Sequence, residues 1–130
     1  MSGAERFRAG VEAGDVEAAL GALAADVVLH SPVTFRAFEG RDVVSHVLRT
    51  VFAVFEDFHY TDHLHEGATS ILVFKASVNG REVDGIDLVR ENADGEIADL
   101  TVMVRPLSGL TALAEEMGRR LGSLPPAPPA

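Results

Sequence analysis

The chain contains no cysteine, no tryptophan and a single tyrosine, and it sets eleven Lys and Arg against twenty Asp and Glu for a net charge of −9. Without cysteine there is no disulfide, thiolate metal site or cysteine nucleophile, and the redox compartment is left open. Acid in such excess, with no basic cluster to offset it, makes nucleic acid and anionic membrane surfaces poor partners, because both need a cationic footprint. Charges interrupt every apolar stretch, so no window approaches the ~20 apolar residues of a membrane span. The opening MSGAERFRAGVEAGD lacks the apolar run of a signal peptide. Soluble, cytoplasmic protein is the expectation. Its glycines are scattered at turns and form neither a Gly-x-Gly-x-x-Gly nor a Gly-x-Ser-x-Gly element. No nucleotide cofactor and no serine-hydrolase elbow is therefore implied, and no cofactor of any kind is expected.

What is present suits one domain. The 130 residues are 47% hydrophobic and 24% charged, enough apolar surface to bury a real core. Residues 1–124 read as that domain, and 125–130, a run of Pro and Ala, read as a flexible tail. Phe7 and Val11 sit one helical turn apart in a segment that stops at Gly14, and Asp15 is placed to cap a second helix through Val16, Ala19, Leu20 and Leu23. Asp26 to Pro32 is β-branched and closes at proline, which predicts a short strand. From Arg41 to Phe55 the apolar residues repeat at helical spacing despite five valines, so periodicity outweighs propensity.

After Asp57 the period changes to two. Phe58–Glu66, Thr69–Asn79, Arg81–Asn92 and Glu96–Arg105 read as four antiparallel strands, joined by turn signals at Glu66-Gly67, Asn79-Gly80 and Asp94-Gly95. Pro106 ends the last strand, and Leu107, Leu110, Leu113, Met117 and Leu121 form an amphipathic helix. The fold class is α+β: a curved antiparallel sheet wrapped around the N-terminal helices.

Strand alternation also selects residues. Asp87 shares a face with Val83, Gly85 and Val89, which aims a carboxylate into an apolar interior where burial raises its pKa. His30 and Ser31 are adjacent, so a regular strand turns only one of them inward. His63 and His65, with His59 earlier, share a parity compatible with a metal, but Asp62 and Glu66 fall on the other. A solvated strand face is the preferred reading and no metal site is expected. Tyr60 is the remaining phenolic donor, its face undetermined. Ile86, Leu88 and Met103 make the second sheet face partly apolar, which predicts a homodimer through that outer face.

The ordering as a whole, with Gly14-Asp15-Val16-Glu17-Ala18, His30-Ser31-Pro32-Val33, Gly40-Arg41-Asp42, Gly85-Ile86-Asp87-Leu88-Val89-Arg90 and Asp94-Gly95-Glu96-Ile97 in place, resembles the SnoaL-like group of the nuclear-transport-factor-two-like superfamily. That resemblance implies a cystatin-like α+β cone with an internal pocket, in a superfamily of ketosteroid isomerases, polyketide cyclases, limonene epoxide hydrolases and noncatalytic binding modules. Against the steroid isomerase pattern, Ser31 stands where the Asp base precedes a proline, Phe7 stands where the oxyanion Tyr lies, and Asp87 matches the second oxyanion donor. A serine hydroxyl is no base without a partner, so steroid isomerisation itself is not expected. Epoxide hydrolases of the superfamily hold water with two Asp and an Arg. Here Asp87 would need Arg90, Arg105 or Asp99, and the parity of Arg90 and Asp99 opposes it.

The expected function is binding of an apolar small molecule by a pocket lined by Phe7, Tyr60, Phe74, Val83, Leu100, Val102 and Val104. Asp87, with His30 or Ser31, would support a cofactor-independent isomerase, cyclase or lyase. The alternatives are a dimerisation or interaction module with a self-filled pocket, and epoxide hydrolase-like activation of water.

Overall fold

The computed structural model describes residues 1–121, so the Pro-rich run at 125–130 lies outside the described residues. Its first helix, α1 (Gly3–Glu12), starts where Ser2 and Glu5 cap each other reciprocally. The Ser2 hydroxyl accepts from the Glu5 amide, and the Glu5 carboxylate accepts from the Ser2 amide. Asp15 caps α2 (Val16–Leu20) by accepting from the Ala18 amide at 3.1 Å. Leu23, expected in that helix, instead begins strand β1 (Leu23–His30). A two-residue strand β2 (Phe38–Glu39), too short to carry a period, follows before α3 (Arg41–Val54).

Four long strands come next: β3 (Glu56–Glu66), β4 (Thr69–Val78), β5 (Arg81–Glu91) and β6 (Ile97–Arg105). Asn79 and Gly80 both take positive φ, as a tight hairpin between β4 and β5 requires. The Asp94-Gly95 signal marks a longer loop, in which the Asn92 side chain accepts from the Asp94 and Glu96 amides at 3.0 Å each. Helix α4 (Leu107–Leu121) follows Pro106.

The strands form one sheet in the order β2-β1-β6-β5-β4-β3. All neighbours are antiparallel except β1 and β6, which run parallel and place Leu29 beside Leu100 and His30 beside Thr101. This is the α+β architecture expected: a curved, unclosed sheet with α1, α2 and α3 on its inner face. Leu29, Leu72, Phe74, Val89, Leu100 and Ile97 point inward to meet Ala4, Phe7, Val44 and Leu48 from the helices, all nearly or wholly removed from solvent. Among the described residues no helix is long and apolar enough to cross a membrane.

Candidate functional site

Alternation along β5 puts Val83, Gly85, Asp87 and Val89 on the buried side and Asp84, Ile86 and Leu88 on the other. Across the sheet, Asp87 stands beside Leu72 of β4 and Val102 of β6, so apolar side chains flank it on both strands. It is 5% exposed and, among the described residues, is the only buried side chain that can carry a negative charge near neutrality. Burial pushes its pKa up from the ordinary 3.8 to about 7, with the Tyr60 hydrogen bond pulling weakly the other way. The Tyr60 hydroxyl donates to Asp87 Oδ2 at 3.2 Å. Tyr60 is itself buried, and desolvation followed by the nearby Asp87 charge raises its pKa well above the usual phenol value. Phenol and carboxyl thus form one polar pair inside an apolar shell.

A cluster of aromatic rings surrounds that pair. Phe58 stacks on Phe74 with centroids 4.8 Å apart and meets Tyr60 edge-on at 5.0 Å. Phe52 of α3 and Phe55, which caps the end of that helix, extend the cluster, and Phe7 of α1 reaches Phe52 at 6.1 Å. Gly85 makes room for the Phe74 ring: a Cβ there would run into that ring and come within 2.7 Å of the Met103 carbonyl oxygen. On its helix-facing side Tyr60 lies under the Arg8 guanidinium, 5.7 Å from the ring centroid.

The structure separates the expected site residues into three groups. Asp87 and Tyr60 come together on the inner face, and Val102 and Val104 join them there as half-buried neighbours. Phe7, Phe74, Val83 and Leu100 are inward as well, but each is at most 2% exposed, so they serve as the packed wall behind the lining. His30 is not part of the site. It sits on the outer face beside Asp99 and Thr101, with Nε2 3.1 Å from Asp99 Oδ2, because β1 pairs with β6 in a register that turns Leu29 inward instead. Ser31, next in the alternation, is half-buried just past the end of β1, and its hydroxyl accepts the Val33 amide at 3.1 Å in a local turn.

The histidines of β3 also differ from expectation. Tyr60 pairs with Phe74 but His63 pairs with Leu72, so an irregularity between Tyr60 and Asp62 inserts one residue and reverses the parity beyond it. His63 and His65 therefore share the face of Tyr60, and His59, beside Lys75, is on the opposite one with Asp57 O as its partner. Among the described residues no three His, Asp or Glu are placed to hold a metal ion. Arg90 and Arg105 lie on the outer face with Asp99, where Arg90 reaches Thr69 and Arg105 pairs with Asp84. The two-Asp, one-Arg arrangement is thus not assembled around Asp87.

Sequence reasoning missed Phe52, Phe55 and Phe58. All three are half-buried against the core, and their spacing of three across the α3–β3 junction was the signal that could have identified them.

A family model described as a SnoaL-like domain matches residues 4–100. The chain is 43% identical to a steroid delta-isomerase from Pseudomonas aeruginosa, whose structure superposes with a TM-score of 0.87 over 93% of this chain and 90% of that one. It is 32% identical to an uncharacterized protein with a cystatin-like fold from Silicibacter pomeroyi DSS-3, with a TM-score of 0.88 over 94% and 86% of the two chains. A cystatin-like protein from Xanthomonas campestris, 22% identical over 87% of this chain and 98% of that one, shares the fold at a TM-score of 0.68. No curated protein matches the sequence.

Proposed function

This chain belongs to the SnoaL-like domain family, and from that premise we propose that it binds a largely apolar small molecule inside its cone, with Asp87 as the polar anchor. One observation carries the reading: a carboxyl group kept at a cost in stability, within an apolar shell, with a single hydrogen-bond donor on Oδ2 among the described residues. A carboxyl whose pKa is raised to about 7 keeps a substantial protonated fraction near neutrality and in that form can donate from Oδ1 to a carbonyl or enolate oxygen of a ligand, while Tyr60 holds the other oxygen in place. Such a donor favours a transition state that builds negative charge on oxygen, which suits a cofactor-independent isomerase, cyclase or lyase.

The steroid delta-isomerase activity of the Pseudomonas aeruginosa relative is not carried over. Ser31 and Phe7 offer neither the base nor the phenol that the resemblance would require. We also propose that the protein is a homodimer through its outer sheet face, where Met103 is 51% exposed beside half-buried Ile86 and Leu88.

The test is a fluorescence titration with 2-naphthol, an apolar probe with one oxygen. Wild-type protein should bind it saturably, and Asp87→Asn should keep its fold and bind about tenfold more weakly, the equivalent of ~1.4 kcal/mol. Equal binding by both proteins would remove Asp87 as the anchor.

A further inference from the structure

The chain has two carboxamide side chains, Asn79 and Asn92, and no glutamine. Asn79 precedes Gly80 at the tip of the β4–β5 hairpin, where both residues are exposed and take positive φ, 49° and 80°. The Gly80 N–H donates to no group among the described residues, and glycine has no Cβ to hinder an approach to that nitrogen. Asn92 differs on both counts. Ala93 follows it, and its Oδ1 is engaged in the β5–β6 loop by the Asp94 and Glu96 amides.

The Asn79 side chain is tethered to the last helix. Its Nδ2 donates to Glu116 Oε1 of α4 at 3.2 Å, and Glu116 is held in turn by Arg119 at 2.6 Å and Arg120 at 2.9 Å. Those two guanidiniums, with Asn79, push the Glu116 carboxyl down to about 2, so it stays an anion. Helix α4 also rests on the hairpin through Leu113, which packs with Val78, and through Gly109, seated so closely on Val83 that a Cβ there would collide with it. Its Met117 and Leu121 cover an edge of the larger apolar cluster.

We propose that Asn79 is a site of spontaneous deamidation, guarded by the hydrogen bond to Glu116, and that its conversion loosens α4 from the hairpin. The inference is independent of the reading of Asp87. In the reaction the Gly80 nitrogen gives its proton to hydroxide and attacks Asn79 Cγ. The new N–Cγ bond replaces the Cγ–Nδ2 bond, and Nδ2 leaves as ammonia. Water then opens the cyclic imide at one of its two carbonyls, leaving aspartate, or isoaspartate with an extra methylene in the main chain. One water enters and one ammonia departs, with no oxidation or reduction. While Nδ2 is bound to Glu116, Cγ is held towards α4 and kept from Gly80. After conversion the donor is gone, and a second carboxylate faces that of Glu116 at hydrogen-bond range, where like charges repel.

The test is incubation of the full chain in mildly alkaline buffer, with peptide mass mapping that follows each asparagine from amide to acid. Wild type should convert at Asn79 while Asn92 stays an amide. Glu116→Ala should convert Asn79 about tenfold faster, the equivalent of ~1.4 kcal/mol in the barrier. Glu116→Gln, which keeps an acceptor oxygen, should stay close to wild type, and this contrast separates the hydrogen bond from a general loosening of the helix. Asn79→Asp should exchange the α4 amide hydrogens faster than wild type, with a circular dichroism melt showing that the domain remains folded. Conversion at Asn79 no faster than at Asn92 would overturn the site. Equal rates in wild type, Glu116→Ala and Glu116→Gln would overturn the guard, and unchanged exchange of α4 in Asn79→Asp would overturn the loosening.

Discussion

Asp87 couples burial to pH in a direction that can be worked out. In the unfolded chain its carboxyl releases its proton near the ordinary value of about 3.9, whereas in the folded protein burial moves that release to about 7. Between these values the native state holds a proton that the unfolded state has lost, so stability falls as pH rises from ~4 to ~7 and then levels off. Asp87→Asn has no such proton to lose. The variant should be more stable than wild type at pH 8, by up to a few kcal/mol, and this advantage should shrink towards pH 4. Urea denaturation of both proteins across that range is the check, and parallel pH profiles would contradict the assignment.

Tyr60→Phe separates the partner from the acid. Removing the hydroxyl leaves Asp87 Oδ2 without its donor, which should cost about 1–2 kcal/mol at pH 8, where the carboxylate is charged, and less at pH 5, where it is neutral. Equal losses at the two pH values would mean that the phenol serves packing alone. The inward placement of Asp87 was legible from alternation, whereas its partnership with Tyr60, 27 residues away, was not, because the irregularity in β3 and the pairing of β3 with β4 decide which way Tyr60 faces.

Elements with strong local signals formed where their signals lie. Asn79-Gly80 turns the chain tightly, Asp15 caps α2, and Pro106 stands between β6 and α4. Signals weakened where an element depends on a distant neighbour. Leu23 joined β1 because its strand pairs with Ile97, and β2 exists only as two residues laid against β1. Gly85 shows packing overriding strand propensity: glycine is a poor strand former, but here the Phe74 ring occupies the place of its side chain. Gly85→Ala should therefore destabilise the protein by roughly 1–3 kcal/mol, although alanine prefers a strand over glycine. A thermal melt equal to or above that of wild type would show that the ring moves aside without penalty.

The whole molecule presents two differently built sheet faces. Its inner face is the apolar interior with Asp87; its outer face mixes Val73, Ile86, Leu88 and Met103 with the Lys75–Asp84–Arg105 ion pairs and the His30–Asp99 pair. If that outer face joins two copies, sedimentation equilibrium at micromolar concentration should report a dimer, and Leu88→Asp should shift it to monomer with its circular dichroism spectrum retained. A monomeric native chain under those conditions would reject the interface.

The sequence by itself determined the α+β order of elements, the inward aim of Asp87 and the outward aim of Asp99 and Arg90, because strand alternation is a local property that each short segment carries alone. Only the tertiary structure decided that β1 runs parallel to β6, which sends His30 to Asp99 across 69 residues instead of to Asp87. It also decided that one inserted residue turns His63 and His65 to the face of Tyr60, and that Leu113 of α4 joins Val54 and Val78 in a second, smaller apolar cluster. Parity propagates along a strand only until a bulge interrupts it, and which strands pair is settled by the burial of surfaces far apart in the chain.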